Sequence, residues 1–105
     1  MKHATLELGG NAPFIVFESA NMDTVITAIM ASKFRCSGQT CVCANRVFVH
    51  SSLYHDFITR LTDAVSRLRL GDGSQPNVDQ GPLINSEALK KVRNITYYTS
   101  NRMII

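Results

Sequence analysis

The sequence predicts an α/β fold of parallel strand–helix–strand–helix units, and predicts it as an incomplete domain. Three observations carry this. Two short apolar runs, over residues 13–17 and 46–50, have strand character. Each is followed by a stretch whose apolar residues recur at helical spacing. Only two such strands are visible, whereas a parallel sheet needs neighbours for its strands and cover on both faces.

The elements follow in chain order. Pro13-Phe14-Ile15-Val16-Phe17 is a nearly continuous apolar run after Gly9-Gly10-Asn11, which suits a buried strand. Asn21 or Asp23 is placed to cap a helix whose apolar face is Met22, Val25, Ile26, Ile29 and Met30. That helix should fade near Arg35, before Ser37-Gly38. Arg46-Val47-Phe48-Val49-His50, rich in β-branched and aromatic residues, reads as the second strand. Ser51 or Ser52 then caps a longer helix with Leu53, Phe57, Ile58, Leu61, Ala64, Val65 and Leu68 on one face, and Leu70-Gly71-Asp72-Gly73 stops it. Residues 74–83, holding Pro76, Gly81 and Pro82, form a loop, and Asn85 or Ser86 starts a third helix through Leu89 and Val92. Residues 94–105 show no clear pattern.

Composition narrows the function classes. The 105 residues are 45% hydrophobic and 18% charged, ordinary for a globular chain and too apolar for a disordered one. The formal charge of +3 is thinly spread, densest at Lys90, Lys91 and Arg93 and next at Arg67 and Arg69. No basic stripe interleaved with aromatics is present, so a nucleic-acid partner is not expected. No apolar run approaches the roughly 18 residues that cross a bilayer, so no membrane partner is expected. The N-terminus has no apolar h-region and is poor in Arg, so no targeting segment is expected in this chain. Three cysteines, Cys36, Cys41 and Cys43, make an odd count that does not read as a disulfide scaffold.

Two segments carry chemistry-bearing residues. The first runs from Phe34 to Arg46, between a helix and a strand, and holds all three thiols. A loop cysteine is a bystander thiol, a metal ligand or a nucleophile, and the spacing leaves these readings open. The C-x4-C-x-C pattern has no second ligand pair, and His50 and His55 fall outside the loop, so no metal is assigned. A nucleophile needs a nearby base and N–H groups for an oxyanion. The second segment is Leu6-Glu7-Leu8-Gly9-Gly10, where Glu7 is either an exposed strand residue or a functional carboxylate beside glycines that admit close approach.

Taken together, Glu7-Leu8-Gly9-Gly10 and Gly38-Gln39-Thr40-Cys41 resemble the E-L-G-G and G-Q-x-C signatures of the aldehyde dehydrogenase superfamily. Gln80-Gly81-Pro82 resembles its downstream Q-G-P element. The resemblance covers about residues 3 to 93. Ala12 to Phe17, Ala31 to Arg35 and Thr40-Cys41-Val42-Cys43 are most similar to the succinate-semialdehyde branch. It implies that residues 1–93 are part of the superfamily's catalytic domain and that 94–105 are a divergent tail.

The resemblance further implies NAD(P)-dependent oxidation of succinate semialdehyde to succinate, a step in GABA degradation, by a parent enzyme of which this is a fragment. Cys41 matches the nucleophile that forms a thiohemiacetal and then a thioester. Glu7 matches the general base that activates the hydrolytic water. Arg35 matches an arginine that holds the substrate carboxylate through its planar fork, the alternative being a cation placed at a helix C-terminus. Cys43 matches the partner of Cys41 in a redox switch, the alternative being a buried inert thiol, and Cys36 adds a second possible partner. Gly9 and Gly10 match positions near the nicotinamide. The implied cofactor is NAD or NADP, whose binding domain lies outside this chain. The implied partners are a small aldehyde and further subunits of a homo-oligomeric parent. The implied location is mitochondrial for a eukaryotic parent and cytoplasmic otherwise. The isolated chain is expected to be inactive.

Overall fold

The computed structural model describes residues 2–100, with side chains through Tyr97. The chain divides into two units, Met1–Leu68 and Arg69–Ile105. The first carries strand β1 (Pro13–Val16), helix α1 (Met22–Lys33), strand β2 (Arg46–Val49) and helix α2 (Tyr54–Ser66). The second carries helix α3 (Ser86–Ser100).

β1 and β2 pair in parallel, with Pro13 opposite Arg46 and Val16 opposite Val49. α1 is therefore the crossover of a βαβ unit. Alternation along a strand sends Phe14 and Val16 toward the helices and Ile15 and Phe17 away from them. The core holds Val16, Met22, Val25, Ile29 and Phe57, with Phe14, Ala20, Ile26, Val49, Leu53 and Leu61 packed against it. Away from that core, Ile15 is 56% exposed, Phe17 70% and Phe48 51%. A two-stranded parallel sheet with one bare apolar face matches the incomplete domain expected from the sequence.

Local chemistry sets the helix ends. Asn21 caps α1: its Oδ1 accepts from the Thr24 backbone N–H at 3.1 Å, satisfying a donor that the first turn leaves unpaired. α1 and α2 are joined on the surface by Arg60, which donates to Asp23 at 2.7 Å and to Asp56 at 2.8 Å. Those contacts, the Asp56 hydrogen bond foremost, hold the Arg60 guanidinium above its ordinary pKa. The groups are exposed, so solvent screens the pairing.

Three boundaries differ from the sequence expectation. Ser51–Leu53 form a short 3-10 turn rather than an α2 cap, and His50 caps that turn through Nδ1, which lies 2.8 Å from Ser52 Oγ. α2 ends at Ser66, before the Gly71 stop: Ser66 Oγ donates to the Asp63 carbonyl at 2.7 Å and the Leu68 N–H to that of Val65. These bonds satisfy last-turn carbonyls without glycine. α3 starts as expected, with Asn85 Oδ1 accepting from the Ala88 N–H at 2.9 Å, but it continues through residues 94–100. Residues 101–105 of the expected tail lie outside the described residues. Between α2 and α3, Leu70 and Gln80 form a parallel bridge within the second unit. Gly71 packs closely there: a Cβ would stand 3.0 Å from Val78 Cγ2, so the valine side chain would have to shift to admit one.

Among the described residues no helix is long and apolar enough to cross a membrane.

Candidate active site

Both chemistry-bearing segments precede a strand, and the two strands are parallel neighbours. Glu7 lies six residues before Pro13, and Cys41 five residues before Arg46, the residue paired with Pro13. The topology thus brings the two segments to the same end of the sheet. Their exits are hydrogen-bonded together: the Asn45 and Arg46 amides donate to the Ala12 carbonyl at 2.9 and 3.3 Å.

The thiol loop begins where α1 stops. The Phe34 N–H still bonds the Met30 carbonyl, and Arg35–Gly38 then form a 3-10 turn. Inside it Cys36, Ser37 and Gly38 all have positive φ, at 47°, 56° and 76°. Only glycine adopts this region freely, so Cys36 and Ser37 hold backbone strain of about 1–3 kcal/mol each. The Gln39 side chain braces the turn by donating to the Cys36 carbonyl at 3.1 Å.

A second turn displays Cys41. The Cys43 N–H donates to the Thr40 carbonyl at 3.1 Å, which leaves Cys41 and Val42 at the turn's outer positions. Cys41 and Cys36 are exposed, whereas Cys43 is buried at 1%. Cys43 Sγ sits 2.7 Å from Thr40 Oγ1 and donates to the Arg35 carbonyl at 3.9 Å. Ala44 is buried beside it. Cys43 and Ala44 thus anchor the loop, and Cys41 projects from the anchored turn. All three thiols are free.

Arg35 is exposed at the start of the same loop, just past the C-terminus of α1, where the dipole favours a cation. Glu7 is exposed in a segment without regular secondary structure, flanked by Leu6 and Leu8 at 73% and 77% exposure. A Cβ on Gly9 or Gly10 would meet nothing within 4 Å, so the backbone there offers an open approach. The structure therefore brings Cys41, Arg35 and Cys43 into one loop and sets the Glu7 segment at the same sheet end. Among the described residues no three His, Cys, Asp or Glu side chains gather as a metal site requires.

Sequence reasoning missed Thr40, whose hydroxyl meets the Cys43 sulfur, and the polar group at the strand entrances. There Asn45 Nδ2 donates to Asn11 Oδ1 at 3.3 Å, and the Arg46 guanidinium donates to the Asn11 carbonyl. An asparagine just before each strand, at Asn11 and Asn45, was the available signal.

With this geometry in place, comparison with known proteins adds lineage. The model of the aldehyde dehydrogenase family matches residues 1–102. The chain is 55% identical over 93 residues to the NADP(+) succinate-semialdehyde dehydrogenase 1 of Schizosaccharomyces pombe, covering 89% of this chain and 19% of that protein. It is 51% identical over 92 residues to the 3-sulfolactaldehyde dehydrogenase of Pseudomonas putida, covering 88% of this chain and 19% of that protein. The crystal structure of succinate-semialdehyde dehydrogenase from Burkholderia pseudomallei superposes with a TM-score of 0.82 at 53% identity, over 86% of this chain and 19% of that one. The chain spans about a fifth of the length of each of these proteins.

Proposed function

The chain belongs to the aldehyde dehydrogenase family, and from that premise we propose that it forms the nucleophile- and base-bearing segment of an enzyme that oxidises succinate semialdehyde to succinate. The observation that carries the reading is the exposed Cys41 on an anchored turn, at the same sheet end as the Glu7 segment. Cys41 attacks the aldehyde carbon as thiolate, forming a thiohemiacetal, and its backbone N–H helps hold the resulting oxyanion. A bound NAD(P)+ would supply the acceptor for the hydride that this carbon must lose. The product is a thioester on Cys41. Glu7 takes a proton from water, the hydroxyl adds to the thioester carbon, and the Cys41 thiolate leaves. Gly9 and Gly10 leave room for the nicotinamide beside this chemistry.

Arg35 stands at the start of the thiol loop, where its guanidinium pairs the far carboxylate of the substrate. A second reading keeps the mechanism and changes the substrate. The P. putida relative is named for 3-sulfolactaldehyde, an aldehyde that also carries a distal anion. Arg35 suits a sulfonate as well as a carboxylate.

The test is a chimera in which the matched stretch of the S. pombe enzyme is replaced by this chain. Nicotinamide reduction is followed with succinate semialdehyde, with 3-sulfolactaldehyde and with a neutral aldehyde of similar length. Preference for succinate semialdehyde, lost with Arg35→Met, supports the first reading. Preference for the sulfonate supports the second. Equal rates on all three remove Arg35 from substrate binding.

A further inference from the structure

We propose that Arg46 is a positioning residue that holds the Glu7 segment in register with the Cys41 loop; this rests on the catalytic reading above. Arg46 Nη2 donates to the Asn11 carbonyl at 2.8 Å and Nε to the same oxygen at 3.2 Å. Asn45 Nδ2 reaches Asn11 Oδ1 at 3.3 Å, and the Asn45 and Arg46 amides bond the Ala12 carbonyl. The guanidinium also lies 5.9 Å from the centroid of the Phe48 ring, which fixes its direction. Five hydrogen bonds therefore converge where the two segments enter paired strands. They span 33 to 35 residues of sequence, so they join segments that no local structure joins.

The consequence is specific to one half of the reaction. Cys41 is held by its own loop, through Cys43, Ala44 and the 40–43 turn. The Glu7 segment has no regular structure of its own, and its exit is held by Arg46 through Asn11. Loss of the clamp leaves the nucleophile placed and lets the base drift. Acylation of Cys41 should survive and hydrolysis of the thioester should slow, because a displacement of about 1 Å at a reacting group costs on the order of a hundredfold in rate.

Two experiments test this. In the full 105-residue chain, amide hydrogen exchange is compared for wild type and Arg46→Met. Exchange at Asn45 and Arg46 should accelerate about tenfold, the scale of losing a charge-assisted bond, with the α1 amides of Ile29 and Met30 unchanged. No acceleration at residues 45 and 46, or equal acceleration in α1, overturns the clamp.

In the chimera, the burst of nicotinamide reduction reports acylation and the steady rate reports hydrolysis. Arg46→Met should keep the burst amplitude and lower kcat at least about tenfold. Arg46→Lys, with one point charge in place of a fork, should recover part of it. Burst and kcat falling in the same proportion, or kcat unchanged, overturns the positioning role. Turnover that survives Cys41→Ala removes the catalytic reading and the positioning role with it, while the exchange result continues to judge the clamp.

Discussion

Thr40 Oγ1 stands 2.7 Å from Cys43 Sγ, and this contact closes the turn that displays Cys41. Only Val42 separates the anchoring Cys43 from the exposed Cys41, yet one thiol is buried and the other open to solvent. The loop thus presents one thiol and hides the other by the same backbone bond, from the Cys43 N–H to the Thr40 carbonyl.

The first prediction follows from that division. Iodoacetamide should modify Cys36 and Cys41 well before Cys43, by mass spectrometry of peptides from the folded chain. Thr40→Val should speed modification of Cys43. If Cys43 pairs with Cys41 under peroxide, the turn must first open, so the same Thr40→Val change should hasten loss of the Cys43 thiol. Equal alkylation rates for all three thiols would contradict the burial of Cys43.

The core sets the second prediction. Ile29, at 2% exposure, packs among Val16, Val25 and Phe57. Ile29→Ala should lower stability by about 2–5 kcal/mol, the loss for a buried aliphatic side chain with its cavity. Ile15→Ala, on the bare sheet face, should stay within about 0.5 kcal/mol. Denaturant unfolding of the chain followed by circular dichroism measures both.

A third prediction concerns Gly38. Its φ is +76°, and a Cβ there would stand 3.3 Å from the Lys33 carbonyl. Gly38→Ala should destabilise the chain by more than about 1 kcal/mol and broaden the NMR signals of residues 36–41, since alanine resists this conformation. Pro13→Ala, outside the loop, should leave those signals unchanged.

The fourth prediction is a pH dependence. Asp72 accepts the Ser74 backbone N–H at 2.9 Å, and that bond with the Ser74 hydroxyl holds its carboxyl below the ordinary pKa. A depressed carboxyl contributes stability above its unfolded pKa and loses it as pH falls through the lower folded value. Local order in residues 72–74 should therefore persist from neutral pH down to the ordinary Asp range and be lost below it. An NMR titration of Asp72 should give a midpoint below the ordinary Asp value. A midpoint at or above the ordinary Asp value would contradict the bond.

The α/β alternation was legible because its signals are local. Phe14 and Val16 alternate with Ile15 and Phe17, and Val25 and Ile29 repeat at helical spacing into one core. The parallel pairing was legible through the βαβ pattern, and the candidate residues through their motifs. The helical stretch at 94–100 was missed because Asn94, Thr96 and Tyr97 are weak helix formers, although Ile95 continues the Leu89–Val92 stripe. The Asn11–Arg46 clamp joins segments 35 positions apart, and the asparagines before the two strands were its only trace in the sequence. The burial of Cys43 depends on how its turn folds back onto Thr40 and the Arg35 carbonyl, which no periodicity announces.

In the proposed mechanism Cys41 carries the substrate as a thioester and Glu7 releases it. The most direct measurement is the intact mass of the Glu7→Gln chimera after mixing with succinate semialdehyde and the cofactor of the S. pombe enzyme. The expected result is a succinyl adduct mapped to Cys41 by peptide sequencing and absent in Cys41→Ala. An enzyme that turns over without any adduct at Cys41, or that carries the adduct on Cys36 or Cys43, would contradict the account.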